Sequence, residues 1–262
     1  MDKYYTHKDV AKKCIEYMMS VIGTDSYAFV EPSAGCGNFL FDNTTLAIDI
    51  LPENENVQFG DWLTTNLNPC KKWVVYGNPP FGKRNNLSRQ FIIHAISQPC
   101  VEWVCFVLPA VYKKHTLQKV FKNWSLIADF DLDSESFHLP DGSSYKIPSV
   151  FQVWRRGIHD GRLNAIERTN FENKHFIMSS GGGDIFVLGA SPSTVKYPED
   201  VTKNNRGYWL TSRIPVDTLK SLIETTPWQG NACANGGVYW LTKTEFINQY
   251  ENYNKDSKNE QE

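Results

Sequence analysis

No CxxC pair occurs among the six cysteines, Cys14, Cys36, Cys70, Cys100, Cys105 and Cys233, and no histidine stands at ligand spacing from them. That excludes a zinc site and a disulfide framework as organising features and predicts reduced thiols in a cytosolic-type compartment, with no metal. No stretch approaches the ~18 uninterrupted apolar residues of a membrane helix, and Met1-Asp2-Lys3-Tyr4-Tyr5 leads into no apolar signal region. The expectation is a cytoplasmic protein without a membrane partner. The net charge of −2 is too small to advertise a polyanion, so any basic surface has to be local. Internal repeats are absent, and nothing implies an obligatory protein partner. Around Gly35 and Gly37 there is neither the third glycine of a dinucleotide fingerprint nor a Gly-Lys-Ser/Thr, which argues against a phosphate-binding loop.

What is present is enough apolar material, 41% of residues, for one sizeable core and a small second one. From Lys8 to Val21 the residues Val10, Ala11, Ile15, Met18 and Met19 recur at helical spacing, with Thr6 available as a cap. Short apolar runs follow at Tyr27–Val30, Leu46–Ile48, Val57–Phe59, Trp73–Tyr76, Trp103–Leu108, Ile127–Leu132 and Val150–Trp154, with helical patterns at Leu87–Ser97 and Val111–Trp124. Strands separated by helices predict a doubly wound, mostly parallel seven-stranded α/β sheet over residues 1–156. A small α+β appendage is expected at 157–250, with Ser179-Ser180-Gly181-Gly182-Gly183 as a flexible break, strands at Ile185–Leu188 and Tyr208–Thr211, and a helix at Pro215–Thr226. The polar stretch 251–262 predicts a disordered tail.

The run Trp73–Tyr76 leads through Gly77 into Asn78-Pro79-Pro80-Phe81. Two prolines remove two backbone donors and hold Asn78 extended, which makes a rigid acceptor platform. A planar amino group can donate one hydrogen to the Asn78 side-chain oxygen and the other to the Pro79 carbonyl, with Phe81 stacked on the attached ring.

Upstream, Ala28-Phe29-Val30-Glu31-Pro32-Ser33-Ala34-Gly35-Cys36-Gly37-Asn38-Phe39 is a strand ending in an acid and entering a turn of small residues, which lets a ligand approach the backbone. Glu31 would repel phosphate and suits an adenosyl ligand with a positive sulfonium. Asp49 ends the second run, placed to accept ribose hydroxyls, and Asp61 and Trp62 follow the third, suited to an adenine amino group and ring. Each alone is an ordinary loop acid or core indole. Their succession at strand ends, with N-P-P-F on the fourth, points to a donor pocket.

Together, E-P-S-A-G-C-G-N-F and G-N-P-P-F-G resemble the S-adenosylmethionine-dependent adenine-N6 methyltransferases with the donor motif before the N-P-P-F/Y motif and target recognition last. The resemblance spans about Tyr4 to Arg156 and implies a Rossmann-like fold with S-adenosyl-L-methionine as cofactor. It implies that Tyr5 and Thr6 hold the methionine part of the donor and that Phe39 is the aromatic after the glycines. Val107-Leu108-Pro109 would brace the site, and Phe137 would pack against an extruded base. Phe81, where many relatives carry Tyr, keeps the stacking face without the hydroxyl. The appendage is smaller than many recognition domains, which speaks against a restriction partner.

The expected activity is that of a site-specific DNA adenine-N6 methyltransferase acting on a flipped base, Lys83, Arg84, Arg89, Lys113 and Lys114 holding flanking phosphates. RNA adenine, a protein glutamine, which is also a planar amide, and a catalytically silent nucleic-acid-binding subunit are the other readings.

Overall fold

A computed structural model of the chain describes residues 4–23, 26–133, 135–165, 168–179, 181–228 and 241–256, the side chains of Arg84, Lys255 and Asp256 apart. The chain divides into two compact units, Met1–Ala165 and Ile166–Glu262. The first unit contains β1 (Tyr5–Thr6), α1 (Lys8–Ile22), β2 (Ala28–Glu31), β3 (Thr44–Asp49), β4 (Gln58–Phe59), β5 (Trp73–Gly77), α2 (Asn86–Ser97), β6 (Val101–Pro109), α3 (His115–Gln118), β7 (Trp124–Leu132), β8 (Phe137–His138), β9 (Ser144–Tyr145) and β10 (Ser149–Arg156).

Seven of these strands form one sheet in the order β4-β3-β2-β5-β6-β10-β7. β2 through β6 pair in parallel, and β10 runs antiparallel to both neighbours. All seven predicted strands are present, in a doubly wound mixed sheet. The reason is visible in β5, whose five residues Trp73–Gly77 are all buried, as a strand covered on both faces must be. Alternation assigns the two faces. Trp73, Val75, Val104, Phe106 and Leu108 join the cluster containing Phe91, Ile92 and Ala95 of α2. Val74, Tyr76, Trp103, Cys105 and Val107 join the one containing Ala11, Cys14 and Met18 of α1.

Two expectations for this unit need correction. The helix read over Val111–Trp124 is broken: a 3-10 turn at Ala110–Lys113, the one-turn α3 and a second 3-10 turn at Lys119–Phe121 replace it. Tyr112 and Phe121 are anchored separately in the core, the latter stacked on Trp154 at 4.0 Å, and Lys114 between the turns is extended. Tertiary anchoring overrides the helical period here. Thr6 does not cap α1: the capping position is His7, without a side-chain bond, and Thr6 is committed elsewhere. A further sheet has no sequence signal: β1 pairs with β8 (Tyr5↔His138, Thr6↔Phe137) and β8 with β9.

In the second unit, β11 (Phe176–Ser179), β12 (Ile185–Leu188), β13 (Ser191–Lys196) and β14 (Gly207–Ser212) form an antiparallel sheet ordered β11-β14-β12-β13, with α4 (Val216–Thr225) and α5 (Lys243–Asp256). β12, β14 and α4 match the predicted segments; β11, β13 and α5 have no counterpart among them. Ser180 of the glycine-rich break lies outside the described residues. Residues 251–256 of the predicted tail are helical, because Tyr250 and Asn254 are buried and the Arg168 guanidinium grips both Glu251 oxygens at 2.7 and 2.9 Å. Residues 257–262 lie outside the described ones.

Candidate active site

Strand order reverses between β2 and β5, and the loops leaving the carboxyl ends of those strands meet there, at the place where open α/β sheets bind ligands. Glu31 closes β2 with 1% of its surface exposed. Its Oε1 accepts from the Ser33 amide at 3.0 Å, while Oε2 is buried without a partner. The Ser33 hydroxyl lies 3.2 Å from Glu31 Oε1 and 3.1 Å from the Asn78 carbonyl, with one hydrogen to give to either. Burial, opposed by the Ser33 hydrogen bonds and reinforced by the negative charge of Asp49, pushes the Glu31 carboxyl up to about 8. Gly77, at φ +125°, is the residue that makes room for it, since a Cβ there would run into the Glu31 carboxylate.

The platform after β5 is held from the opposite end of the chain. Asn78 Nδ2 donates to Thr6 Oγ1 at 3.0 Å, leaving Asn78 Oδ1 as a buried acceptor with no partner. Thr6 is itself fixed from the glycine-rich loop, where Asn38 Nδ2 donates to its carbonyl at 2.8 Å. Within that loop the Gly35 amide donates to Asp49 Oδ2 at 2.9 Å, and the Leu51 amide to Asp49 Oδ1 at 2.8 Å. Gly37, at φ +86°, packs where a Cβ would stand 2.7 Å from Asn54 Nδ2, which donates to the Cys36 carbonyl. The Tyr5 hydroxyl donates to the Glu53 carboxylate at 2.7 and 2.8 Å. Sequence reasoning missed Asn38, Glu53 and Asn54, because lone polar loop residues carry no pattern. It also missed Ile50 and Leu51, 51% and 62% exposed beside Asp49.

The structure thus brings Tyr5, Thr6, Glu31, Ser33, Gly35, Gly37, Asp49 and Asn78 together, and separates others. Trp62 does not line a ring pocket: it is 1% exposed in the core beside α2, its Nε1 donating to the Phe91 carbonyl at 3.2 Å. Phe39, 5% exposed, is likewise a packing residue. Asp61 caps a 3-10 turn, its Oδ1 accepting from the Leu63 amide at 2.9 Å. Phe81 and Phe137 do meet, ring centroids 6.5 Å apart, and both are buried. Pro79 is buried and Pro80 half-buried. Lys83 and Arg89 are exposed and Lys114 is half-buried. Lys113 is paired with Asp131 at 2.6 Å, which offsets its charge. The Arg84 side chain lies outside the described residues. Among the described residues, no group of acids, histidines and cysteines could hold a metal ion, and no helix is long and apolar enough to cross a membrane. Two open cavities, of about 380 Å³ beside Asn173 and Tyr250 and about 370 Å³ beside Thr44 and Gln58, are lined by neither Glu31, Asn78 nor Phe81.

No family model matches the chain, and no curated protein matches it in sequence. Among solved structures it is similar to a candidate RNA methyltransferase from Pyrococcus horikoshii, with 16% identity over 60% of this chain and 88% of that one and a TM-score of 0.46. It is similar to the magnesium protoporphyrin IX methyltransferase of Synechocystis, solved with SAM bound, with 9% identity over 58% and 80% of the two chains and a TM-score of 0.41. The M protein of the type I restriction enzyme EcoKI aligns over 97% of this chain and 71% of its own, at 10% identity and a TM-score of 0.42.

Proposed function

We propose that this chain is an S-adenosyl-L-methionine-dependent methyltransferase that modifies the exocyclic N6 amine of adenine in DNA. The observation that carries the reading is the fixed amide of Asn78, whose Oδ1 is buried and unpartnered at the strand-order switch beside the equally unpartnered Glu31 Oε2. A buried amide acceptor and a buried carboxyl oxygen, both left without partners, are costly in a folded protein unless ligands complete them.

The residues fit the proposed cofactor. Glu31, desolvated and raised in pKa, gains from a cation beside it. Each Asp49 oxygen accepts one backbone hydrogen, which leaves a lone pair on each for a ribose diol. Ile50 offers an exposed apolar face next to that carboxylate. When bound, the cofactor supplies an electrophilic methyl group on a sulfonium.

Asn78 then acts on the amine. Its Oδ1 accepts one N6 hydrogen while the Pro79 carbonyl takes the other, which favours a more tetrahedral nitrogen with its lone pair available. Positioning, rather than a strong base, is what these residues contribute. Phe81, grouped with Tyr4 and Phe137, favours an aromatic ring over the aliphatic stem of a glutamine. Lys83 and Arg89, exposed near the platform, are suited to flanking phosphates.

Incubation of the chain with labelled donor and DNA, RNA or protein tests the substrate, and label confined to RNA or to protein would sink the DNA assignment. Asn78→Ala tests the site: methyl transfer is lost while donor binding persists, and retained transfer refutes the role given to Asn78.

A further inference from the structure

The Ser33 hydroxyl has one hydrogen to donate and two acceptors within reach, Glu31 Oε1 at 3.2 Å and the Asn78 carbonyl at 3.1 Å. These acceptors belong to the two halves of the site, the acid on the donor side and the platform on the amine side. The Ser33 amide is fixed on Glu31 Oε1 at 3.0 Å, and the next amide, of Ala34, on the Ile48 carbonyl at 3.0 Å. With the backbone held on both sides, choosing between the acceptors takes only rotation about the Cβ–Oγ bond.

Nearly equal distances do not decide that choice, so the charge of Glu31 does. Burial above all, reinforced by the negative charge of Asp49 and opposed by the Ser33 hydrogen bonds, favours the neutral acid in the ligand-free protein. Its Oε1 is then an uncharged acceptor that already receives the Ser33 amide, and the hydroxyl hydrogen goes to Asn78. An ionised carboxylate accepts a hydrogen bond roughly twice as strong, and the hydrogen then goes to Glu31. Oε2, buried and without a partner, is the oxygen left for the charge of a ligand.

We propose that Ser33 is a positioning residue that lets the site tell its cationic donor from the thioether left after transfer: its hydroxyl hydrogen serves the Asn78 carbonyl when the site is empty or holds the thioether, and turns to Glu31 when a sulfonium lies beside that acid. This rests on the methyl-transfer reading above. Methyl transfer breaks the sulfur–methyl bond, whose electron pair stays on sulfur and cancels its charge, while the nitrogen that gains the methyl group gives up a proton to solvent. Glu31, no longer beside a sulfonium, takes a proton from solvent, and the Ser33 hydrogen returns to the Asn78 carbonyl. The product is thereby held less tightly than the donor, and the donor's charge is felt at a platform 45 residues further along the chain.

Calorimetric titration of the full chain with S-adenosylmethionine and with S-adenosylhomocysteine, in the absence of nucleic acid, tests the assignment. Ser33→Ala should weaken S-adenosylmethionine about fivefold, the margin of a charge-assisted hydrogen bond over a neutral one, and leave S-adenosylhomocysteine unmoved. Ser33→Thr, which keeps the hydroxyl, should restore the wild-type ratio of the two affinities. Equal weakening of both ligands, or of neither, overturns the proposal. The wild-type protein gives a second measurement that needs no variant. Asn-Pro occurs twice in the chain, at Asn68-Pro69 and Asn78-Pro79, so isotopic labelling of asparagine carbonyl carbons and proline nitrogens selects two resonances. That of Asn78 should move upfield with S-adenosylmethionine, as its carbonyl loses a hydrogen bond, and stay with S-adenosylhomocysteine, while that of Asn68 stays with both. An Asn78 resonance that moves alike with both ligands, or with neither, overturns the proposal. If the chain binds neither ligand, or if transfer survives Asn78→Ala, the reading of the site falls and takes this inference with it; if both ligands bind and transfer requires Asn78 while these readouts fail, the inference about Ser33 falls alone.

Discussion

Thr6 Oγ1 accepts the side-chain amide hydrogen of Asn78 across 3.0 Å, and this contact between residues 72 positions apart decides which atom of the asparagine faces the site. With Nδ2 engaged, Oδ1 is the end left to receive a donor. Thr6 is thus a positioning residue for the platform. Thr6→Val keeps the shape and removes the acceptor, so the transfer rate should fall about tenfold, the worth of one hydrogen bond. The donor KM should stay unmoved and Thr6→Ser should restore the rate. A change in donor affinity at constant rate would instead return Thr6 to the donor-binding role implied by the resemblance.

Glu31 makes the protein sensitive to pH in a defined direction. Its folded carboxyl is pushed up to about 8 by burial, against the ordinary carboxylate range when unfolded. The folded chain therefore holds the extra proton between those values, and the ligand-free protein should lose stability as pH rises through that window. Donor affinity should run the other way, strengthening up to about pH 8 as Glu31 ionises beside a cationic ligand. Thermal melts and calorimetric titration of Glu31→Gln, in which both slopes flatten, check this; an unchanged slope would remove Glu31 as its source.

Gly77→Ala should be severely destabilising, because the new methyl group meets the Glu31 carboxylate at a φ of +125° that side chains rarely adopt. A cost of about 2 kcal/mol or more is expected, read as a lower melting temperature. Pairing it with Glu31→Ala should recover part of the loss; strict additivity would show that the two residues do not collide.

Trp62→Phe separates core packing from ligand contact. Losing the indole hydrogen bond to the Phe91 carbonyl should lower stability by about 1 kcal/mol, with donor affinity unchanged. A weakened donor at unchanged stability would return Trp62 to the pocket.

The sequence by itself determined the parallel sheet, since runs such as Trp73-Val74-Val75-Tyr76 are apolar on both faces and only a covered strand can bury them. It also marked the strand ends where Glu31, Asp49 and Asn78 emerge, because glycines, prolines and acids directly after apolar runs are local signals. That Trp62 and Phe39 are buried in the core was not legible in the sequence, because an aromatic beside a strand end reads alike whether it faces a pocket or the core. α5 ran past Glu251 because a salt bridge from Arg168, far away in sequence, outweighs a polar composition. Only the tertiary structure decided that Thr6 orients Asn78, that Gly77 yields its space to Glu31, and that Ser33 reaches the Asn78 carbonyl. These contacts join residues far apart in the chain through two-residue strands and single side chains, and no local periodicity encodes a partner at such a distance.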